Sequence, residues 1–404
     1  MPSIGGRLKP PNPTTGAQYM PLYLSNPDQE RSIDYPIAID AMAAILRQYA
    51  MGDAIRRPRI DNFLPTARAD EFFCFSTMEG GARAPGYYAL RIKPDIVSWP
   101  QVNGKQRRIS YSFKPGLYGG LVLLYSTDNA EFLSIMNDGY VQHVRVAATA
   151  ALGVRYLANP EARILGVIGS GGMARSFALG IKAVRPIERV QAYSPDRTRL
   201  EVYCTEMSAR LGCEVVACDS PKQAAQDADV LSLCTNSQVP VIESEWIRPG
   251  AHLTNVLTTE LSNQGFSRID VVGLLARPTP LSLSGFTDGD YGGIRGSAMA
   301  YVGGQARERE MIPVYAKTPE RYPKARYVDC IDWKTGEPYR RERRDLITTI
   351  ATNSNGVLEG EAGPSSGFQG LQFASVAGAI YEGAKRLGLG TELPRDMFLQ
   401  DMPT

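Results

Sequence analysis

The chain has 404 residues, 43% of them hydrophobic and 21% charged, which excludes a disordered or fibrous protein and suffices for two globular domains. Lysine and arginine number 44 against 42 aspartates and glutamates, so no global field recruits nucleic acid or an anionic membrane, and neither is expected as a partner. Six cysteines without a CxxC pair and two histidines, His143 and His252, argue against a disulfide framework, a multi-histidine metal centre and a Ser-His-Asp triad. No metal is expected, and the chemistry falls to carboxylates, lysines, arginines and a cofactor.

Residues 1–30 are rich in Pro, Gly and Asn and read as an extended arm. The opening residues lack the apolar core of a signal peptide, and the longest apolar stretch, 121–125, is strand-sized. A reducing cytoplasm is the expected compartment. Ile39, Met42, Ile45, Leu46 and Tyr49 recur at helical spacing and predict a helix over 37–51, stopped by Gly52. Strand-like runs at 71–77, 87–92 and 120–126 then predict an α+β region of antiparallel character. The Ala-rich stretch 141–157 favours a helix that joins two domains. Strand and helix signals alternate over 159–275. Residues 276–345 read as an insertion, either a lid or subunit contact or a surface segment without a role. A final helix is predicted over 371–387, ended by Gly388.

The most informative stretch is 164–174, an apolar run followed by Gly169-Ser170-Gly171-Gly172-Met173-Ala174 and a helix-like segment. Strand, glycine turn and helix in that order expose backbone N–H groups at a helix N-terminus, where a dinucleotide pyrophosphate binds. Gly169 permits the tight turn, Gly171 lets the pyrophosphate approach, and Ala174 lets helix and strand pack closely. Strand-like runs at 189–193 and 229–235 supply the βαβ context and place Thr235 among the cofactor contacts. After the first of these runs, Ser194 with Arg197 and Arg199 suits the 2′-phosphate of NADP and favours it over NAD, although Asp196 could hold a free ribose.

His143-Val-Arg145-Val-Ala-Ala-Thr-Ala-Ala151, Asp227-Ala-Asp229-Val230, Pro249-Gly-Ala-His252 and the tail from Phe373 to Lys385, in that order around the glycine turn, resemble the ornithine cyclodeaminase/mu-crystallin family. The resemblance covers roughly residues 55–260 and 350–395. It implies an α/β chain in which a Rossmann dinucleotide-binding domain, 159–275, is inserted in an α+β substrate and dimerisation domain built from 1–158 and 346–404. It also implies a homodimer and hydride transfer at a carbon bearing an amino or imino group. Family members include amino-acid dehydrogenases, imine and ketimine reductases, and cyclodeaminases that recycle the hydride internally. Carried across by residue, Arg59 and Arg145 resemble the two arginines that grip a substrate carboxylate, a task suited to a planar guanidinium, and Met78 resembles a pocket-lining methionine.

The departures are as informative. The family's catalytic lysine falls by register at Arg91, with Lys93 on the same face. Lys93 would keep a tunable proton donor, whereas Arg91 would orient and stabilise charge. Thr259 stands where the family carries an aspartate base, with Glu260 one step away as a substitute, and Gln142 and Val146 replace expected threonines. The resulting expectation is an NADP-dependent imine reductase or amino-acid dehydrogenase for a small imino or amino carboxylate. A cyclodeaminase-type lyase releasing ammonia and a non-catalytic dinucleotide-binding protein are the alternatives.

Overall fold

The computed structural model describes residues 20–57, 59–102, 105–106, 108–276, 298–302, 305–312, 322–350, 368–400 and 402. Buried and half-buried residues alternate along Phe72–Ala82 and Tyr87–Ser98, so each strand turns one face to the core when the two pair as a long hairpin. Both strands run well past the expected 71–77 and 87–92. They centre a mainly antiparallel sheet in the order Ala298–Val302, Arg59–Pro65, Phe72–Ala82, Tyr87–Ser98, Leu121–Ser126, Phe132–Asn137, Leu22–Leu24, Thr391–Glu392.

Two helices from opposite ends of the chain cover the inner face. Tyr35–Ala50 is started by Asp34, whose carboxylate accepts the Ile37 N–H at 2.9 Å, and buries its apolar stripe. Gln369–Leu387 comes so close to its neighbours that a Cβ on Gly370 would lie 1.8 Å from the Glu79 carbonyl oxygen. The arm expected over 1–30 is corrected within the described residues. Leu22–Leu24 pairs with Phe132–Asn137, and Asn26–Ser32 is a helix on which Ser25 and Asp28 cap each other reciprocally. Its proline sits in the first turn, where the missing N–H has no partner to lose.

The second sheet is parallel throughout, in the order Glu214–Ala217, Arg189–Tyr193, Ile164–Ile168, Val230–Leu233, His252–Asn255, Thr348–Ile350, Val271–Leu274, Arg326–Asp329. Its central strands are apolar and buried on both faces, as helices on either side require. Two of its strands come from beyond 275, and the segment 276–345 also gives Ala298–Val302 to the first sheet. Much of that segment, with the lid or contact expected of it, lies outside the described residues.

The helix Asp138–Leu157 joins the sheets and leads into Ile164–Ile168. Its alanines let the helix Gly172–Lys182 lie against it, so that a Cβ on Gly180 would sit 3.2 Å from the Ala147 oxygen. Its last carbonyls are held by Arg185, on Arg155 and Ala158, and by Arg341, on Leu157. Among the described residues no helix is long and apolar enough to cross a membrane.

Candidate active site

Gly169 has a φ of +119°, and a Cβ there would fall 2.4 Å from the Cys234 carbonyl oxygen, so only glycine makes this turn. The helix Gly172–Lys182 begins just beyond it without a side-chain cap, leaving its first N–H groups free of intrahelical partners. A Cβ on Gly171 would meet nothing within 4 Å. Open space therefore fronts a helix N-terminus at the point where strand order reverses, which is the crevice a dinucleotide pyrophosphate requires. The residues present fit that cofactor. The Ser170 carbonyl is fixed by Arg175 at 2.6 Å, Met173 packs against the core, and Ala174 is fully buried.

Ser194 is half-buried at the end of Arg189–Tyr193. Asp196 caps the helix Arg197–Leu211 by accepting the Arg199 N–H at 3.0 Å. Arg197 pairs with Glu201 and Asp219, each at 2.9 Å, and Arg199 pairs with Asp196 at 3.3 Å. These pairs are exposed and weakened by water, so a phosphate competes with them readily.

Thr235 does not offer its hydroxyl hydrogen to a cofactor. Its N–H and Oγ1 donate to Glu260 Oε1 at 2.6 and 2.7 Å, while Glu260 Oε2 accepts from the N–H groups of Val256 and Leu257 at 2.8 and 2.7 Å. Four donors fill the lone pairs of one fully buried carboxylate. Glu260, expected as a base, clasps two strand-end loops with both of its oxygens. Burial pushes its carboxyl up to about 7, and the donors pull against that shift. Thr259 Oγ1 donates to the Ser237 carbonyl at 2.7 Å.

The chemistry-bearing face belongs to the first sheet. Arg59, Asp61, Ser76, Met78, Arg91 and Asp95 alternate onto its buried side. Met78 stands opposite Arg91 and Ser76 opposite Lys93, so Lys93 lies one row away, roughly 7 Å along the strand. Arg91 Nε donates to Asp138 Oδ2 at 2.9 Å, and its guanidinium lies 5.6 Å from the Phe373 ring centre. A Cβ on Gly120 would fall 2.1 Å from the Asp138 carboxylate, so this glycine makes room for the pair. Arg59 is tied to Asp61 at 2.8 Å and to Ser76 at 3.0 Å, and Lys93 to Asp95 at 2.5 Å. Both were expected to be free for substrate and are instead engaged inside the protein. Burial pushes the Lys93 ammonium down, and Asp95 opposes that shift.

Arg145 is different. It is 2% exposed, donates only to the amide oxygens of Gln142 at 2.8 Å and Gln372 at 2.5 Å, and lies 4.9 Å from the Phe373 ring centre. Among the described residues no carboxylate comes within 4.0 Å of it. Burial, with Arg91 and Arg59 nearby, pushes its guanidinium well below the usual arginine range. The same helix touches the cofactor turn, since a Cβ on Gly172 would lie 2.5 Å from the His143 ring. Met78, Arg91 and Arg145 therefore gather about the Phe373 ring, a cluster suited to holding a carboxylate. Asp138 and Gln372, which hold the two arginines, were not foreseen from sequence. An acid at a helix start reads as a dipole partner, and a glutamine in an apolar helix gives no signal of its contact.

The sequence model of the ornithine cyclodeaminase/mu-crystallin family matches residues 103–265. A putative dehydrogenase of Rhizobium meliloti is 29% identical over 175 residues, 43% of this chain and 50% of that protein. A Delta(1)-pyrroline-2-carboxylate reductase of Bacillus cereus is 29% identical over 137 residues, 34% of this chain and 42% of that protein. The chain thus spans about half the length of the curated relatives it matches. The structure of Thermococcus litoralis Delta(1)-pyrroline-2-carboxylate reductase in complex with NADH and L-proline shares the fold at a TM-score of 0.64 and 20% identity, over 92% of this chain and 100% of that one. The match to the ornithine cyclodeaminase/mu-crystallin family thus runs through the glycine turn, and the fold is shared over nearly the whole chain.

Proposed function

We propose that this protein is an NAD(P)-dependent imine reductase or amino-acid dehydrogenase acting on a small imino or amino carboxylate. The observation that carries the reading is Arg145, a buried guanidinium with no carboxylate within 4.0 Å among the described residues, on the helix whose His143 abuts the glycine turn. The names of relatives, a pyrroline-carboxylate reductase and a dehydrogenase, agree with it. Arg145 holds the substrate carboxylate. Arg91, fixed by Asp138 opposite Met78, adds a second cation beside that carboxylate; as a donor without a lone pair it makes no hydrogen bond to an iminium nitrogen. A guanidinium keeps its proton, so the nitrogen enters protonated as an iminium and leaves as the amine, and no side-chain acid is consumed. The bound dinucleotide supplies or takes up the hydride at the carbon.

NADP is the favoured cofactor. Ser194 and the guanidiniums of Arg197 and Arg199, held only by exposed pairs, support it. The protein works as a homodimer. The outer face of the first sheet supports this, with Ile60, Phe73, Phe75, Leu90, Ile92 and Leu121 half-buried in a single chain. Six free thiols suit the reducing cytoplasm.

The test is NADPH oxidation with a panel of cyclic and acyclic imino acids, followed at 340 nm, with ammonia measured in parallel. Stoichiometric NADPH loss is the expected result. Ammonia release without net NADPH change would instead identify a cyclodeaminase, and tight cofactor binding without turnover of any substrate a binding protein. Double replacement of Arg197 and Arg199 by alanine should raise the KM for NADPH about tenfold and leave that for NADH unmoved.

A further inference from the structure

Among the described residues, the buried face of the first sheet carries more cations than carboxylates. Three carboxylates, Asp61, Asp95 and Asp138, pair with Arg59, Lys93 and Arg91. Apart from Arg56, which lies over the Tyr49 and Phe368 rings, two guanidiniums remain among the described residues. Arg145 donates only to neutral amides. Arg108 has a side chain 17% exposed and makes no hydrogen bond among the described residues; its nearest carboxylate oxygen, Asp95 Oδ2 at 3.9 Å, is already held by Lys93 at 2.5 Å. The two lie on one continuous strip, because Arg59 is near enough to depress the pKa of both and Arg108 near enough to Lys93 to depress that of the lysine. One substrate carboxylate would neutralise Arg145 and leave the second cation unmatched, at a cost that burial makes large.

Resting on the reading of this site as one for imino or amino acids, we propose that the substrate is a dicarboxylate, with its α-carboxylate on Arg145 and the carboxylate that ends its side chain between Arg108 and Lys93. Spacing supports this. The Met78–Arg91 and Ser76–Lys93 rows are adjacent and the Cys74–Asp95 row, against which Arg108 lies, comes next. One to two rows correspond to roughly 7–13 Å, within reach of an acid of about four to six carbons met by long cationic side chains. Asp95 Oδ2 lies 2.5 Å from the Lys93 ammonium and 3.9 Å from the Arg108 guanidinium, so it holds the lysine and leaves Arg108 beyond hydrogen-bond distance.

The full chain with NADPH is offered imines formed from ammonia and oxaloacetate, 2-oxoglutarate or 2-oxoadipate, and in parallel those from pyruvate and preformed pyrroline-2-carboxylate. Binding of L-aspartate, L-glutamate, L-alanine and L-proline to the NADP⁺-loaded protein is measured by calorimetry. The expected result is a kcat/KM for the best dicarboxylate at least about a hundredfold above the best monocarboxylate. Arg108→Gln should reduce that ratio about thirtyfold or more and Arg108→Lys by less, with thermal melts showing both variants folded. A wild-type preference for monocarboxylates, or a ratio unmoved in folded Arg108→Gln, overturns the dicarboxylate assignment and leaves the reductase reading intact. Selective binding of the dicarboxylic amino acids without NADPH oxidation for any imine supports the assignment and removes the reductase reading.

Discussion

Arg145 is a buried cation with no carboxylate within 4.0 Å among the described residues, and on the proposed reading it is held for a substrate carboxylate at a cost to stability. Arg145→Met should raise the melting temperature by several degrees, because an uncompensated charge leaves the interior. The same change should lower kcat/KM about a hundredfold or more, because the carboxylate loses its charged donor. Thermal melts and steady-state kinetics on one preparation check both halves, and a variant that melts lower would count against an unpaired charge. Arg91 is the opposite case. Asp138→Asn strands it, and a loss of about 3–5 kcal/mol should appear as a lower urea midpoint. Sequence made the arginines legible as residue types suited to a carboxylate. It did not show which were free, since Arg59 and Arg145 look alike in a string and only Asp61 and Gln372 distinguish them. The setting of Glu260 was hidden for the same reason: its four donors come from three residues, with Thr235 far away in the chain.

Two glycines separate packing from binding among the helices and strands. Gly370→Ala drives a Cβ into the Glu79 backbone, so the helix Gln369–Leu387 must move off the sheet. A loss of about 3 kcal/mol is expected in urea unfolding. Gly171→Ala sits in extended backbone and opens onto empty space. Its melting temperature without cofactor should match the unmodified protein, while the Kd for NADPH rises at least about tenfold as the methyl crowds the pyrophosphate. Equal effects of the two substitutions on stability would refute this division. The glycine turn was readable because strand, turn and helix are contiguous. The strand Thr348–Ile350 was not, since it enters the parallel sheet between two strands that precede it in the chain, and local pattern carries no record of such an insertion.

For the molecule as a whole, acid stability is set partly by His252. It is fully buried, its Nδ1 lies 2.9 Å from Thr348 Oγ1, and burial, with Arg341 and Arg185 nearby, pushes its imidazole down to about 3 from 6.5. The folded pKa lies below the unfolded one, so between these values the unfolded chain binds a proton that the native state refuses. Stability should therefore fall as pH drops through 6.5 towards 3, by on the order of 4 kcal/mol in total, with no contribution above that window. Urea unfolding at a series of pH values checks this, and the slope should flatten in His252→Asn. Saturating NADPH should raise the melting temperature at neutral pH through the same linkage.

Alone, the sequence determined the glycine turn, the helices with a single apolar stripe, the hairpin strands and the family resemblance, because each is written in neighbouring residues or in motifs kept in order. Tertiary structure decided which charges are paired. Whether Arg59, Lys93 and Glu260 are available, and whether Arg108 and Arg145 meet a carboxylate at hydrogen-bond distance among the described residues, depends on side chains brought together by sheet register and by a helix from the far end of the chain. Charge neutralisation acts over a few ångströms in space, a separation that distance along the chain does not report.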